Sequence, residues 1–242
     1  MKNALSIFLV LLSSFLSAQE RKFQIGITGS ADVAYRSLFV VDDLPFNQEN
    51  INYRNDFETP KIGYSGGLHF AYQISEKFKI LAGIQHSNMG YKLSGLHLNS
   101  VQFENIDPRR NGFIYPHDLQ SIFNFHYVEV PVGIQYQLGK KKWKPTLAIG
   151  LSPGYLINTT KTELWSSADG SMNEEKSDLN LSSIERFSLT PFANLGVNYH
   201  LNKTWSIQAS AQFRYNLFTV FDEPISTNLW NAGIQVGCFH NL

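Results

Sequence analysis

The chain is ordered by an alternation of apolar and polar residues with a period of two. In "KIGYSGGLHFAYQI" one parity carries Ile62, Tyr64, Leu68, Phe70, Tyr72 and Ile74, and the other carries Gly63, Ser65, Gly67, His69, Ala71 and Gln73. "TWSIQASAQFRYNLF" repeats the pattern, with Trp205, Ile207, Ala209, Ala211, Phe213, Tyr215 and Leu217 set against Ser206, Gln208, Ser210, Gln212, Arg214 and Asn216. Successive residues of a strand point to opposite faces, so each segment has one apolar face and one small or polar face. Helical spacing would scatter the polar residues around the axis. The same reading predicts eight strands, near 23–36, 61–74, 78–92, 121–138, 144–158, 187–201, 204–219 and 228–240.

The links between these strands alternate in length. Strands two and three, four and five, and six and seven are joined by near-copies of one turn: "AYQISEKF" (71–78), "QYQLGKKKW" (135–143) and "NYHLNKTW" (198–205). The links after the first, third and fifth strands are long, and the link after the seventh is shorter. Up-and-down strands put all the short turns at one end and the long loops at the other, the asymmetry of an outer-membrane barrel with periplasmic turns and extracellular loops. Each near-copy has a Tyr on the apolar parity before the turn and Phe or Trp after it. Tyr72, Phe78, Tyr136, Trp143, Tyr199 and Trp205 are therefore expected to form an aromatic girdle where lipid meets water. The predicted fold is all-β, an eight-stranded antiparallel up-and-down transmembrane β-barrel. Its structural rival is a soluble lipocalin-like binder with the apolar parity inward. Against that rival, segments of about 14 residues exceed the ~5–6 common in soluble strands, and the second parity is too polar for a dry core.

Composition adds location. "MKNALSIFLVLLSSFLSAQE" has an early lysine, an apolar run from Leu5 to Leu12 and small residues up to Ala18, the pattern of a secretory signal peptide over residues 1–19 cleaved near Ala18 or Gln19. Residues 20–242 are expected to be one barrel domain. Cys238 is the only cysteine, so no disulfide forms within the chain. With 20 basic and 20 acidic residues the charge is balanced, and no basic face asks for nucleic acid.

The last strand, "NAGIQVGCF", places Asn231, Gly233, Val236 and Cys238 in an order that resembles the C-terminal assembly signal of bacterial outer-membrane barrels, with Phe239 close behind. The signal ending "SAQ", the eight-strand plan and "FHYVEVPVGIQYQLG" (125–139), with Tyr127, Glu129 and Pro131, resemble the PorT-type outer-membrane β-barrel proteins of Bacteroidota. That resemblance implies residence in the Gram-negative outer membrane and an association with secretion of surface proteins.

In the fourth strand Tyr127, Glu129, Pro131, Gly133, Gln135 and Gln137 take the lumenal parity, and Val128, Val130, Val132 and Ile134 face lipid. Proline removes one ladder donor, so Pro131 predicts a bulge or broken pairing, and Pro153 and Pro191 predict similar interruptions. The same parity sends Asp32, Glu129 and Arg214 inward, nine residues from Phe23, seven from Tyr136 and nine from Trp205, and at these similar heights they are expected to meet and close the lumen with Gln135, Gln208 and Gln212. Candidates for catalysis at the outer rim are His86, Ser87, His97, His117, Asp118 and Ser121, but no spacing joins a nucleophile to a base. No enzyme, cofactor or metal is expected. His117 and Asp118 are strand neighbours that point apart, and the acidic runs around Asp42 and Asp43 lack a calcium-loop pattern. "DPRRNGFIYPHD" (107–118), with Arg109, Arg110, Phe113 and Tyr115, is a candidate partner-binding loop. The function expected is a structural, assembly- or secretion-associated, or surface-binding role through extracellular loops. The expected partners are outer-membrane lipid and a protein of a secretion or surface complex. The alternatives are an enzyme acting on lipid or peptide at the rim, the soluble binder, and, third, a pore.

Overall fold

The computed structural model describes residues 23–40, 45–97, 118–139, 142–166, 171–179, 184–221 and 224–242. Its elements in chain order are β1 (Phe23–Val40), α1 (Pro45–Phe57), β2 (Glu58–Thr59), β3 (Lys61–Gln73), β4 (Phe78–His97), β5 (Asp118–Glu129), β6 (Val132–Gln137), β7 (Trp143–Ser166), β8 (Met172–Asp178), β9 (Phe187–His200), β10 (Trp205–Tyr215) and β11 (Ile225–Asn241). β5 and β6 are two halves of one stave, both paired with β4 on one side and β7 on the other. Each stave pairs antiparallel with the next, and β1 pairs with both β3 and β11, so eight staves close into a ring.

The stagger of the ring can be followed residue by residue. From Gln24 the register runs to Ala71, Leu81, Gly133, Gly150, Phe192, Arg214 and Asn231, and returns to β1 at Ala34, ten residues above its start. Ten residues over eight staves correspond to a strand tilt of about 40°, inside the range that closed barrels require. The parity of every stave then has a fixed meaning. Ile62, Ile84, Val132, Ile149, Leu195 and Ile234 stand about half or more exposed on the outer wall, while Ser65, Gln85, Gln135, Ser152, Asn198 and Gln235 are buried inside. A wall that is apolar outward and an interior of amides and hydroxyls invert a soluble barrel, as a lipid solvent demands.

Prolines sit where the ladder has nothing to lose. Pro131 separates β5 from β6, and the register against β4 is the same on both sides of it, so a rung is missing but no residue is inserted. The extra residue lies across the stave, in β7, where the register against β5 shifts between His126 and Tyr127. The predicted interruptions at Pro153 and Pro191 do not occur: β7 and β9 run through them unbroken. The Pro153 carbonyl accepts from the Val130 N–H at 2.9 Å, so the donor Pro153 lacks would have pointed at the gap between β5 and β6. The Leu189 carbonyl likewise accepts from Leu217, so Pro191 faces β10, just past the last rung at Phe192 and Arg214. This also ends β10 at Tyr215, short of the predicted boundary.

The lower end is made of short turns. Among the described residues the upper end carries regular elements in place of some of the long loops expected there. β4 and β7 rise past the ring, β7 turns back as β8, and α1 occupies the link after β1. α1 has no apolar stripe, and Ile51 is its only buried apolar residue among those described.

Candidate functional site: the lumen and the upper wall

The six predicted girdle residues stand outward at the lower rim and meet across staves. Phe23 lies 6.3 Å from Tyr72, Phe78 5.0 Å from Tyr136, Trp143 4.4 Å from Tyr199, and Trp205 4.8 Å from His240, measured between ring centroids. These four pairs take one ring from each of the eight staves. The repeated turn thus supplies the Tyr of one pair and the Phe or Trp of the next. Tyr35, Tyr155 and Phe187 lie twelve residues above Phe23, Trp143 and Tyr199 on their own staves. At ~3.3 Å per residue and the tilt above, that spacing spans roughly 25–30 Å, the height of an outer-membrane apolar band.

Inside, Asp32, Glu129 and Arg214 are all buried. Arg214 Nη2 donates to Glu129 Oε2 in an ion pair with both side chains at most 2 % exposed, and Gln85 Nε2 donates to the same oxygen at 2.8 Å. Asp32 does not join that pair. It accepts from Gln212 Nε2 at 2.7 Å, Ser30 Oγ at 2.9 Å and Asn231 Nδ2 at 3.4 Å. Arg214 on β10 reaches across the lumen to β5, so the neighbouring staves satisfy Asp32 with neutral donors. Arg214 Nη1 and Glu129 Oε1 are buried without a hydrogen-bond partner among the described residues. The cluster expected at one level is therefore one ion pair and one separately solvated carboxylate.

Above this layer the lumen is apolar. Met89, Tyr91, Phe125, Tyr127, Leu156, Val220 and Leu229 form one buried cluster. Higher still, Glu58 accepts from Arg36 at 2.5 Å and from Arg54 of α1 at 2.7 Å, and Arg36 Nη1 donates to Asn55 Oδ1 at 2.7 Å. Below the charge layer a cavity of about 40 Å³ is lined by residues that include Thr28, His69, Gln135, Gln212 and Arg214. Two rings press on bare backbone around it: Phe239 against Gly26 and Gly237, and Phe192 against Gly133 and Gly150. At the floor Lys79 is 2 % exposed and donates to Gln24 Oε1 at 2.8 Å.

The other sequence candidates divide. Arg109, Arg110, Phe113, Tyr115 and His117, like residues 1–19 and Asp42 and Asp43, lie outside the described residues. His86 and Ser87 are neighbours on β4 with opposite directions: Ser87 is buried and its hydroxyl has no hydrogen-bond partner among the described residues, while His86 stacks on His126 outside. The sequence reading missed Lys79, Arg36, Glu58 and the His86–His126 pair. Inward parity was the available signal for Lys79 and Arg36. Nothing in the sequence joined two histidines forty residues apart.

A closed, tilted ring with an apolar exterior, aromatic rims and a polar interior defines a transmembrane β-barrel. The family model described as "Outer membrane protein beta-barrel domain" matches residues 17–222. The chain belongs to that family and is an outer-membrane β-barrel protein. Among solved structures it is similar to OprG from Pseudomonas aeruginosa, at 14 % identity, TM-score 0.47, 91 % of this chain and 97 % of that one. Neisserial surface protein A is similar at 12 % identity and TM-score 0.45, over 91 % and 97 % of the two chains. Ail, the attachment invasion locus protein of Yersinia pestis, is similar at 12 % identity and TM-score 0.34, over 89 % and 99 %. No curated protein matches the sequence.

Proposed function

We propose that this barrel serves a structural, assembly- or secretion-associated, or surface-binding role through the end that carries α1 and the β7–β8 hairpin, and performs no catalysis. The observation that carries this reading is the filled lumen: an ion-paired layer topped by an apolar cluster leaves side chains where a conduit would need water. Eight staves enclose little more than side-chain volume in any case. β8 stands exposed along its length, which suits contact with a partner. In this reading the short turns are periplasmic, the long links are extracellular, and residues 1–19 are removed on export. The finer kinship is with the PorT-type proteins, through Tyr127, Glu129 and Pro131, and it favours a protein of a secretion or surface complex as partner.

A photo-crosslinker at Glu175 on β8 should capture one reproducible surface or secretion protein in living cells, whereas one at Lys203 in a short turn should not. Capture of lipid alone from Glu175 would retire the partner reading. An epitope tag near Gly170 should be labelled on intact cells and one between Lys140 and Lys142 should not; the reverse would invert the orientation.

A further inference from the structure

Above the ring the wall continues on one side as a sheet of β2, β4, β5, β7 and β8. One row of register partners crosses it, from Glu58 on β2 through Leu93 on β4, Ser121 on β5 and Glu163 on β7 to Glu175 on β8. Among the described residues β8 pairs with β7 alone, so the sheet ends there in an open edge. Every residue from Met172 to Asp178 is exposed. The ladder tells which backbone groups that edge offers. The Leu179 N–H donates to the Thr159 carbonyl at 3.2 Å, and the register runs on from Thr160 and Asp178 to Ser166 and Met172 without a shift. Hydrogen-bonded and non-hydrogen-bonded pairs alternate along an antiparallel ladder, so Asn173, Glu175 and Ser177 spend their N–H and C=O on β7. Glu174, Lys176 and Asp178 turn theirs away from the sheet.

Exposed sheet edges are commonly blunted by a proline, a bulge or mere shortness. β8 has no proline and no bulge, and it is as long as an ordinary strand. Charge is the guard that remains, and it has a sign. Glu174, Glu175 and Asp178 outnumber Lys176. Glu175 also stands directly opposite Glu163, and like charges so placed destabilise a sheet. Lys161 pairs with Glu163 at 2.5 Å, whereas Glu175 has no ion pair among the described residues. A strand added antiparallel to the free edge sets a residue across from Glu175 in a non-hydrogen-bonded pair, where side chains approach most closely. A lysine or arginine at that position offsets the repulsion between Glu163 and Glu175. A second β8 would bring a further set of carboxylates instead.

We propose that the free edge of β8 binds a basic, extended segment of a partner protein as an additional strand. The backbone groups of Glu174, Lys176 and Asp178 supply the hydrogen bonds, and the carboxylates of Glu174, Glu175 and Asp178 select a segment bearing lysine or arginine. This rests on the surface-binding reading above and adds the chemistry of its partner.

Residue-resolved amide hydrogen exchange of the full barrel in lipid nanodiscs tests this with three capped peptides as separate probes: alternating lysine and valine, the same peptide N-methylated at every residue, and alternating glutamate and valine. The lysine peptide should slow exchange at the Glu174, Lys176 and Asp178 amides about tenfold or more, and the other two should leave them unchanged. Glu175→Lys, an exposed change that also removes the repulsion with Glu163, should weaken the lysine peptide several-fold and strengthen the glutamate peptide. The variant should keep the heat-dependent gel shift of a folded barrel. Equal binding of the N-methylated peptide, protection spread evenly along β8, or indifference of both charged peptides to Glu175→Lys would overturn the proposal. So would amides protected without peptide in a barrel that native mass spectrometry finds dimeric, because the edge would then belong to a second copy. The crosslinker at Glu175 reports the surface-binding reading separately. A partner captured there, with the three amides left unprotected by the lysine peptide, would keep that reading and overturn the added strand. Protected amides with no captured partner would support the added strand and retire the broader reading.

Discussion

At the lower rim, four aromatic pairs treat all eight staves alike; at the upper end, β4 and β7 overshoot the ring, β10 stops early at Pro191's missing donor, and α1 is tethered through Glu58. The lower rim meets one constraint, the lipid–water boundary, which is identical at every stave, so one turn written three times satisfies it. The upper half has to close a lumen from the inside. Each contact there joins particular staves, as Arg214 of β10 joins Glu129 of β5, and no repeat can encode that.

The sharpest way to break this contrast is to remove one side of the ion pair. Arg214→Leu leaves Glu129 charged and buried, and should cost about 3–5 kcal/mol, read as a lower temperature for loss of the gel shift. Arg214→Leu/Glu129→Leu should recover most of it, because two apolar residues strand no charge. A double variant as unstable as the single would mean that the layer acts through packing alone. Next in size is Gly150→Val in the lower lumen, where the new side chain meets the Phe192 ring and the Val132 carbonyl. Overpacking of this kind costs about 1–3 kcal/mol, and urea titration in lipid should show it; a neutral result would mean that Phe192 swings away freely.

The rim itself should respond less to any single change. Trp143→Ala removes the ring contact with Tyr199, worth about 0.5–1.5 kcal/mol, and three intact pairs remain. A loss above the Gly150→Val value would make the girdle, and not the lumen, the main support. Smallest is Arg54→Ala: Glu58 keeps Arg36, so the buried carboxylate is not left uncompensated, and the i,i+4 pair with the partly exposed Arg54 contributes about 1 kcal/mol or less. The gel shift should be unchanged, while limited proteolysis within α1 should speed up. Protection equal to that of the unmodified chain would show that α1 is held by other contacts.

The same contrast explains what could be read from the sequence. Period two fixed which residues face lipid, because the solvent outside is uniform and every stave obeys it; Ile62, Ile84, Val132 and Ile234 all stand where parity puts them. The same parity sent Asp32, Glu129 and Arg214 inward, and all three are buried there. Which carboxylate Arg214 chooses was not legible, since it depends on which staves face one another across the lumen after a ten-residue stagger. The strand interruptions expected at Pro153 and Pro191 failed for a related reason: a proline breaks a ladder only where its missing N–H had an acceptor, and that depends on the neighbour's register. α1 left no trace because its residues carry no helical apolar stripe. The His86–His126 pair is set by the pairing of β4 with β5 alone.

The seam between β1 and β11 is paired over seventeen residues, and the Leu242 N–H donates to the Phe23 carbonyl at 2.8 Å. The ring therefore does not distinguish this seam from the others. A gene rewired so that a few residues join Leu242 to Phe23, with breaks opened at Glu76 or Lys203, would encode the same closed wall with its staves in a different order.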